Sequence, residues 1–286
     1  MSSLQSLLGI WVCLCICLLW AMLGFNMQNS QYLSPFFYLG CVSFGIHLLG
    51  FLPSYVYATE HYFDLTGAIA HVSMVLVAWA IQPPLNIGAW IGGCCVLLWA
   101  TRLGLFLFMR VKRDHKDDRF SKIKHRFWWF LMTWVISATW VFVTQGPILL
   151  AILNGAFNNS WWQVVGGVIW SLGFILEVVS DEQKRRFKRS QSRSRTPFIC
   201  SGLWAYSRHP NYLGEITLWI GLAVYSVPSL LTWQYPVLIS PCLVALLLIK
   251  VSGINMLEVK AEKKWGQRKD WERYKQDTAL LIPWVW

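Results

Sequence analysis

The stretch SRHPNYLGEI, residues 207–216, gathers a guanidinium, an imidazole, an amide, a phenol and a carboxylate at the mouth of a segment with no charged residue from Ile216 to Ile249. Pro210 fits the first turn of a helix, where its missing N–H costs nothing. A helix running from Pro210 into the apolar segment would point free N–H groups and the positive end of its dipole at whatever sits outside, which is an anion site. Arg208 and His209 precede it and add donors. Asn211 and Glu215 stand four residues apart on one face, and Tyr212 and Glu215 three apart. A carboxylate one turn inside an apolar segment must find hydrogen bonds in the protein interior. A ligand with both phosphates and neutral hydrogen-bonding groups suits this set, and a nicotinamide dinucleotide has both. The competing reading pairs Glu215 with Arg208 or another cation nearby.

A second polar group lies upstream, in EVVSDEQKRRFKRSQSRSR at 177–195. Glu177, Asp181, Lys184 and Lys188 fall at i, i+4, i+7 and i+11, on one helical face, with Arg185 at its border. Cations alone would suffice for a side chain reaching out of a bilayer, whereas acids at its edge cost energy. The stripe therefore reads as a ligand surface, or else as a solvated helix end. Ser190 to Arg195 follow as a polar linker.

These groups need elements to hold them, and the composition says which kind. The chain of 286 residues is 56% hydrophobic and only 14% charged, with 19 Trp. Soluble domains carry roughly 25% charged residues. The expected fold is an all-α polytopic transmembrane bundle. Lys and Arg are absent before Arg102, and 23 of the 25 fall within 110–126, 184–208 and 260–275. Four charge-free blocks lie between the charges, at 1–59, 65–101, 127–176 and 216–249. Each has room for two spans of about 20 residues, the last by borrowing from the residues before it. Each carries turn chemistry near its middle: Asn26 to Pro35, Gln82-Pro83-Pro84, Asn154 to Asn159 and Val227-Pro228-Ser229. This predicts about eight spans in four hairpins, within a single membrane domain whose N-terminal spans, 1–109, take the substrate and whose C-terminal half, 127–286, takes the cofactor. Even numbers of spans place the basic clusters on one side, which the positive-inside rule makes the cytoplasm. The membrane would be the endoplasmic reticulum in a eukaryote and the inner membrane in a bacterium.

Residues 7–24 lack a basic leader and a clear cleavage site, and read as the first span. The eight cysteines form no C-x-x-C pair and have no histidine at ligand spacing, so no metal site is expected. The net charge of +11 fits topology and anionic headgroups. No aromatic platform or binding motif accompanies the basic clusters, which argues against nucleic acid. The expected partners are the bilayer and a small hydrophobic substrate, with no obligate protein partner.

Glu60 and Asp64 are the only charges before Arg102. A carboxyl group so near the bilayer is desolvated, and in its neutral form it can donate a hydrogen bond to a carbonyl oxygen. The alternative makes Asp64 an acid at a helix start, interacting with the dipole.

The stretch GLWAYSRHPNYLGEITLWIG, 202–221, resembles the C-terminal signature of the steroid 5α-reductase superfamily, especially its uncharacterised multi-spanning branch. FDLTG at 63–67, RLGLFLFMRVKRDHKDDRF at 102–120, GFILEVVSDEQKRRFK at 173–188 and YKQDTALLIPW at 274–284 resemble it in the same order. The shorter R-H-P-x-Y element also occurs in sterol reductases and isoprenylcysteine carboxyl methyltransferases. The resemblance implies an NADPH-dependent reductase of a carbon–carbon double bond in a lipid or steroid-like enone. It places Asn211 and Glu215 at the nicotinamide end, with Asp181 and, as a departure from the usual Asn, Glu177 beside them. Arg185 and Lys188 match basic residues suited to the phosphates. Asp64 is the counterpart of a substrate-gripping Glu. The Tyr that accompanies that Glu falls near Arg102 or Leu103, so no equivalent phenol is evident. Glu258 and Glu262, four residues apart, either close the cofactor site or form a solvated face. The alternatives are an S-adenosylmethionine-dependent methyltransferase of the isoprenylcysteine type and a non-enzymatic lipid-binding membrane protein. NMLEVKAE at 255–262 lacks the Arg before paired acids that marks the methyltransferases.

Overall fold

The computed structural model describes residues 2–25, 34–83, 86–114, 120–158, 160–190, 196–251 and 253–284. The linker expected at 190–195, beyond Ser190, residues 26–33 of the first expected turn and Pro84 of the second lie outside them. The described residues are helical, in the order α1 (Ser3–Met22), α2 (Pro35–Val56), α3 (Phe63–Ile81), α4 (Ile87–Asp114), α5 (Phe127–Thr144), α6 (Gly146–Asn154), α7 (Trp161–Arg189), α8 (Pro210–Ser226), α9 (Ser240–Leu246), α10 (Ile254–Trp265) and α11 (Lys269–Asp277). Among the described residues, seven helical stretches are long and apolar enough to cross a membrane. α8, at 17 residues, is slightly short of the usual length of a span. The chain is thus an all-α polytopic bundle, as its charge-free blocks require.

The helix boundaries follow local chemistry. Ser2 caps α1, and Gln5 reaches back to its backbone in a capping box. Pro35 and Pro210 open α2 and α8. Gly155 ends α6 in a left-handed conformation, with φ at 68°, which only a residue without Cβ adopts freely. The last apolar block departs from a regular span. It runs as a 3₁₀ segment Thr232–Ile239, then α9, then a π-helical stretch Leu247–Val251.

The chain forms two compact units, Met1–Gln163 with Tyr225–Ser240, and Val164–Val224 with Pro241–Trp286. The first unit packs Phe51, Phe120, Phe130 and Trp134 into one aromatic cluster, flanked by Tyr55 and Phe63. Hydrogen bonds between helices hold its polar groups. Ser43 donates to the Ala138 carbonyl, and His47 binds the Ser43 carbonyl through one ring nitrogen and Ser137 through the other. Asn154 donates to Ser229 and Gln234, and Ser240 to Thr144. Among lipid tails such bonds and close packing replace the hydrophobic drive between helices.

The second unit is built on α7 and α8, antiparallel and in backbone contact. A methyl group on Gly214 would lie 2.6 Å from the Glu177 nitrogen and 2.7 Å from the Gly173 carbonyl oxygen. One on Gly173 would meet the Leu218 nitrogen and sit 2.7 Å from the Gly214 oxygen, and one on Gly221 would meet the Trp170 nitrogen. Three glycines without side chains thus let two backbones touch. Gly173→Ala should cost roughly 1–3 kcal/mol, because only a backbone shift relieves the clash. Gly167, on the same helix, has nothing within 4 Å of an added methyl, so Gly167→Ala should be neutral or slightly stabilising. Thermal unfolding of the two variants in detergent checks this. Equal stabilities would contradict the packing.

Candidate functional site

The crossing at Gly173 and Gly214 decides what stands beside the start of α8. The inward face of α7 runs through Trp170, Gly173, Glu177, Ser180 and Asp181, all buried. Glu177 and Asp181 are carboxylates with only 2% and 6% of their surface exposed. Gly214 lies against the Glu177 backbone. The start of α8 therefore lies against α7 at Glu177, within the second unit.

The residues before α8 are clamped. Ser207 donates to the Leu281 carbonyl at 2.7 Å, Arg208 N–H to Ala279 at 2.9 Å, and Ser207 pairs with Ala279 as an isolated bridge. Tyr274 donates to the Trp204 carbonyl at 2.6 Å, and the Trp204 indole donates to the Ser180 carbonyl at 3.1 Å. Gln183 accepts from the Leu203 N–H. Phe198, Trp265, Trp271 and Tyr274 pack ring against ring beneath α11, with centroids 5.1–5.4 Å from Phe198. The C-terminal segment thus fastens residues 204–208 to the end of α7, and the second and third basic clusters meet at one end of this unit.

Glu258 on α10 sits at the centre of the polar group. Its carboxylate accepts from Arg208 and, at 2.8 Å, from the Nε2 of His209. The two acids part company: Glu258 serves Arg208 and His209, while Glu262 turns to α11, where it accepts from Trp271 and Lys275. Sequence spacing could not identify Glu258 as the partner of Arg208, because fifty residues separate them. Its one signal was an acid at the edge of an apolar block, close to a cationic cluster.

Three buried polar atoms in this group have no hydrogen-bond partner among the described residues: Arg208 Nε, His209 Nδ1 and Asn211 Oδ1. Leaving such groups unmet costs about 1–3 kcal/mol each. They are one donor and two acceptors, spread over four residues at a helix start. That set fits a ligand offering both donors and acceptors, as a dinucleotide does with its amide, hydroxyl and phosphate groups. Tyr212 stacks on His209, at 5.8 Å between ring centres. Glu215 is half-buried in the first turns of α8.

The cationic side differs from the even stripe read from spacing. Arg185 is held by Glu182 through two hydrogen bonds of 2.6 and 2.8 Å, and Arg186 by the same carboxylate at 2.7 Å. Lys184 lies over the Trp204 ring at 4.5 Å. Lys188 is exposed at the end of α7. Sequence spacing had put Glu182 off the stripe, yet its position three and four residues before two arginines is a standard helix pairing.

Asp64 belongs to the first unit, in the first turn of α3, with the Arg110 guanidinium at 3.9 Å. Glu60 is almost fully buried and receives a 2.8 Å hydrogen bond from Lys124. Arg110 and Lys124 of the first basic cluster thus lie beside the start of α3. Deeper in α3, His71 meets Gln145 at 2.5 Å, with Trp99 edge-on.

Fold and site together define a multi-pass helical membrane protein with a polar niche at one end of its C-terminal unit. The sequence profile of the family described as "Protein of unknown function (DUF1295)" matches residues 50–278. The chain belongs to that family, which is one of the steroid 5α-reductase-like membrane families. No curated protein and no solved structure matches the chain.

Burial pushes the His209 imidazole below its ordinary value, the hydrogen bond and charge of Glu258 act against this, and Lys184 and Arg208 add to the lowering. The unfolded chain therefore takes up a proton at this position more readily than the folded one. The stability tied to neutral His209 is fully present above the unfolded value, near ~6.5, and is lost as the pH falls below it. Unfolding in detergent from about pH 7.5 to about pH 5 should show this loss, and His209→Gln should reduce it. An identical acid-side slope in the variant would contradict the assignment.

Proposed function

We propose that this chain is a membrane-embedded, NADPH-dependent reductase of a carbon–carbon double bond in a lipid or steroid-like enone. The observation that carries the reading is the set of buried, unmet polar atoms on Arg208, His209 and Asn211, beside two buried carboxylates at a helix start. A helix N-terminus attracts anions, while the bare acceptors on His209 and Asn211 ask for donors, and a dinucleotide offers both. Membership of a steroid 5α-reductase-like family supports the same reading.

When bound, NADPH would supply a hydride. The chain's own part is to hold and orient the cofactor and to keep water out. Asn211, Tyr212 and Glu215 would hold the nicotinamide end, with Glu177 and Asp181 as the buried wall behind them. Arg208 would contact a more polar part. Arg185 and Lys188 would be the candidates for phosphate contacts, and Arg185 also serves Glu182. In this reading the basic clusters and the niche face the cytoplasm. Asp64 would act in its neutral form, donating a hydrogen bond to the substrate carbonyl. The Arg110 guanidinium lies 3.9 Å from its carboxylate.

NADPH titrated onto the cytoplasmic face of sealed vesicles should bind, and Asn211→Ala should weaken it by roughly 1–3 kcal/mol. Unchanged binding in the variant would remove Asn211 from the site. Tight S-adenosylmethionine binding without dinucleotide binding would favour the methyltransferase, and binding of neither would favour a lipid-binding protein. Asp64→Asn should fold and bind NADPH normally but lose turnover by about a hundredfold, the scale of a general-acid contribution. A fully active Asp64→Asn protein would end that part of the proposal.

A further inference from the structure

His209 can meet a ligand in two opposite ways. If Nδ1 carries a proton it is a donor, suited to a phosphate or carbonyl oxygen. If Nδ1 is bare it is an acceptor, and an anion there would be repelled. A residue 49 positions away decides between them.

Glu258 offers only acceptors when ionised, and it contacts both Arg208 and His209 Nε2, the latter at 2.8 Å. The proton of a neutral His209 must then lie on Nε2, between ring and carboxylate. Nδ1 is left with its lone pair, buried and without a partner among the described residues. The ring cannot readily turn to exchange its nitrogens. It is only 5% exposed, stacks on Tyr212, and its backbone N–H is tied to Ser207 Oγ at 3.2 Å. Ser207 is in turn fixed to Leu281, and Arg208 to Ala279. Burial holds the ring neutral, which keeps the second proton off.

From this arrangement we infer that Glu258 is the positioning residue of the niche: it sets the His209 tautomer so that Nδ1 accepts a hydrogen bond from an N–H or O–H of the bound molecule. His209 is then a reader of a donor group and not a phosphate ligand, and the anionic part of the ligand lies elsewhere in the niche. The role of Glu258 stands on the ligand-free structure alone, whereas the identity of the donor rests on the dinucleotide reading above. Two groups of a nicotinamide nucleotide qualify, the carboxamide N–H and a ribose hydroxyl.

The test separates these layers. Protein labelled with ¹⁵N-histidine and purified without ligand should show His209 protonated at Nε2 and bare at Nδ1 near neutral pH. Glu258→Ala should abolish that preference. A proton on Nδ1 in the wild type, or an unchanged preference in Glu258→Ala, overturns the proposal. NADPH titration then reads the ligand side. His209→Asn puts an amide oxygen where Nδ1 stands and should retain most of the affinity. His209→Gln keeps a donor toward Glu258 but no acceptor at that place, and should lose roughly tenfold. The reverse order of the two variants overturns the donor contact. With the 3-acetylpyridine analogue of NADPH, which lacks the amide N–H, equal affinities of wild type and His209→Gln assign the donor to the carboxamide. A persisting difference assigns it to a hydroxyl. If NADPH fails to bind the wild type while the tautomer is as stated, the dinucleotide reading fails and the role of Glu258 remains.

Discussion

The closest constraint in the C-terminal unit is the backbone contact of α7 with α8 at Gly173 and Gly214. A single methyl group on either would collide with main-chain atoms, so the distance between the helices is set by the absence of side chains. That distance brings the buried carboxylates Glu177 and Asp181 to the first turn of α8. Acids so placed would be expensive against lipid, and they are tolerable because they face protein. The helix start then presents the positive end of its dipole next to them. Without the glycine crossing, the polar atoms of 208–215 and of 177–188 would belong to separate surfaces.

A second lock acts from the C-terminus. α10 delivers Glu258 to Arg208 and His209, and the segment after α11 hydrogen-bonds residues 207 and 208. The aromatic packing of Phe198, Trp271 and Tyr274 gives that segment a small core of its own. The niche is consequently held from both sides. Its unmet polar atoms persist because the surrounding bonds leave them no alternative partner, which is how preorganised binding sites are kept open for a ligand. The N-terminal unit handles its charges differently. Asp64 and Glu60 there are neutralised locally by Arg110 and Lys124.

Much of this could be read from the residues. The charge-free blocks and their turn residues located the helix pairs, because lipid forbids charge and a turn needs Pro, Gly or Asn. Pro210 marked the start of α8, and the spacing of 177, 181, 184 and 188 marked a polar face of α7. Other features depended on partners far along the chain. The pairing of Glu258 with Arg208 and His209 is tertiary, and no local pattern encodes it. The bond of Arg185 to Glu182 is local by contrast, an i, i+3 pair that a reading of the single face passes over. The break between α5 and α6 at Gln145, ahead of Gly146-Pro147, and the 3₁₀ and π segments of the last apolar block, are set by packing that hydropathy does not report.

The central claim is that a dinucleotide occupies the niche between the 177–188 face of α7 and the start of α8. A density map of the protein purified in lipid with NADPH present tests it most directly. The account predicts density there that fits the dinucleotide, with its nicotinamide end toward Asn211 and Glu215. A well-resolved map in which that niche is filled by protein side chains, or holds a molecule of another kind, would contradict it.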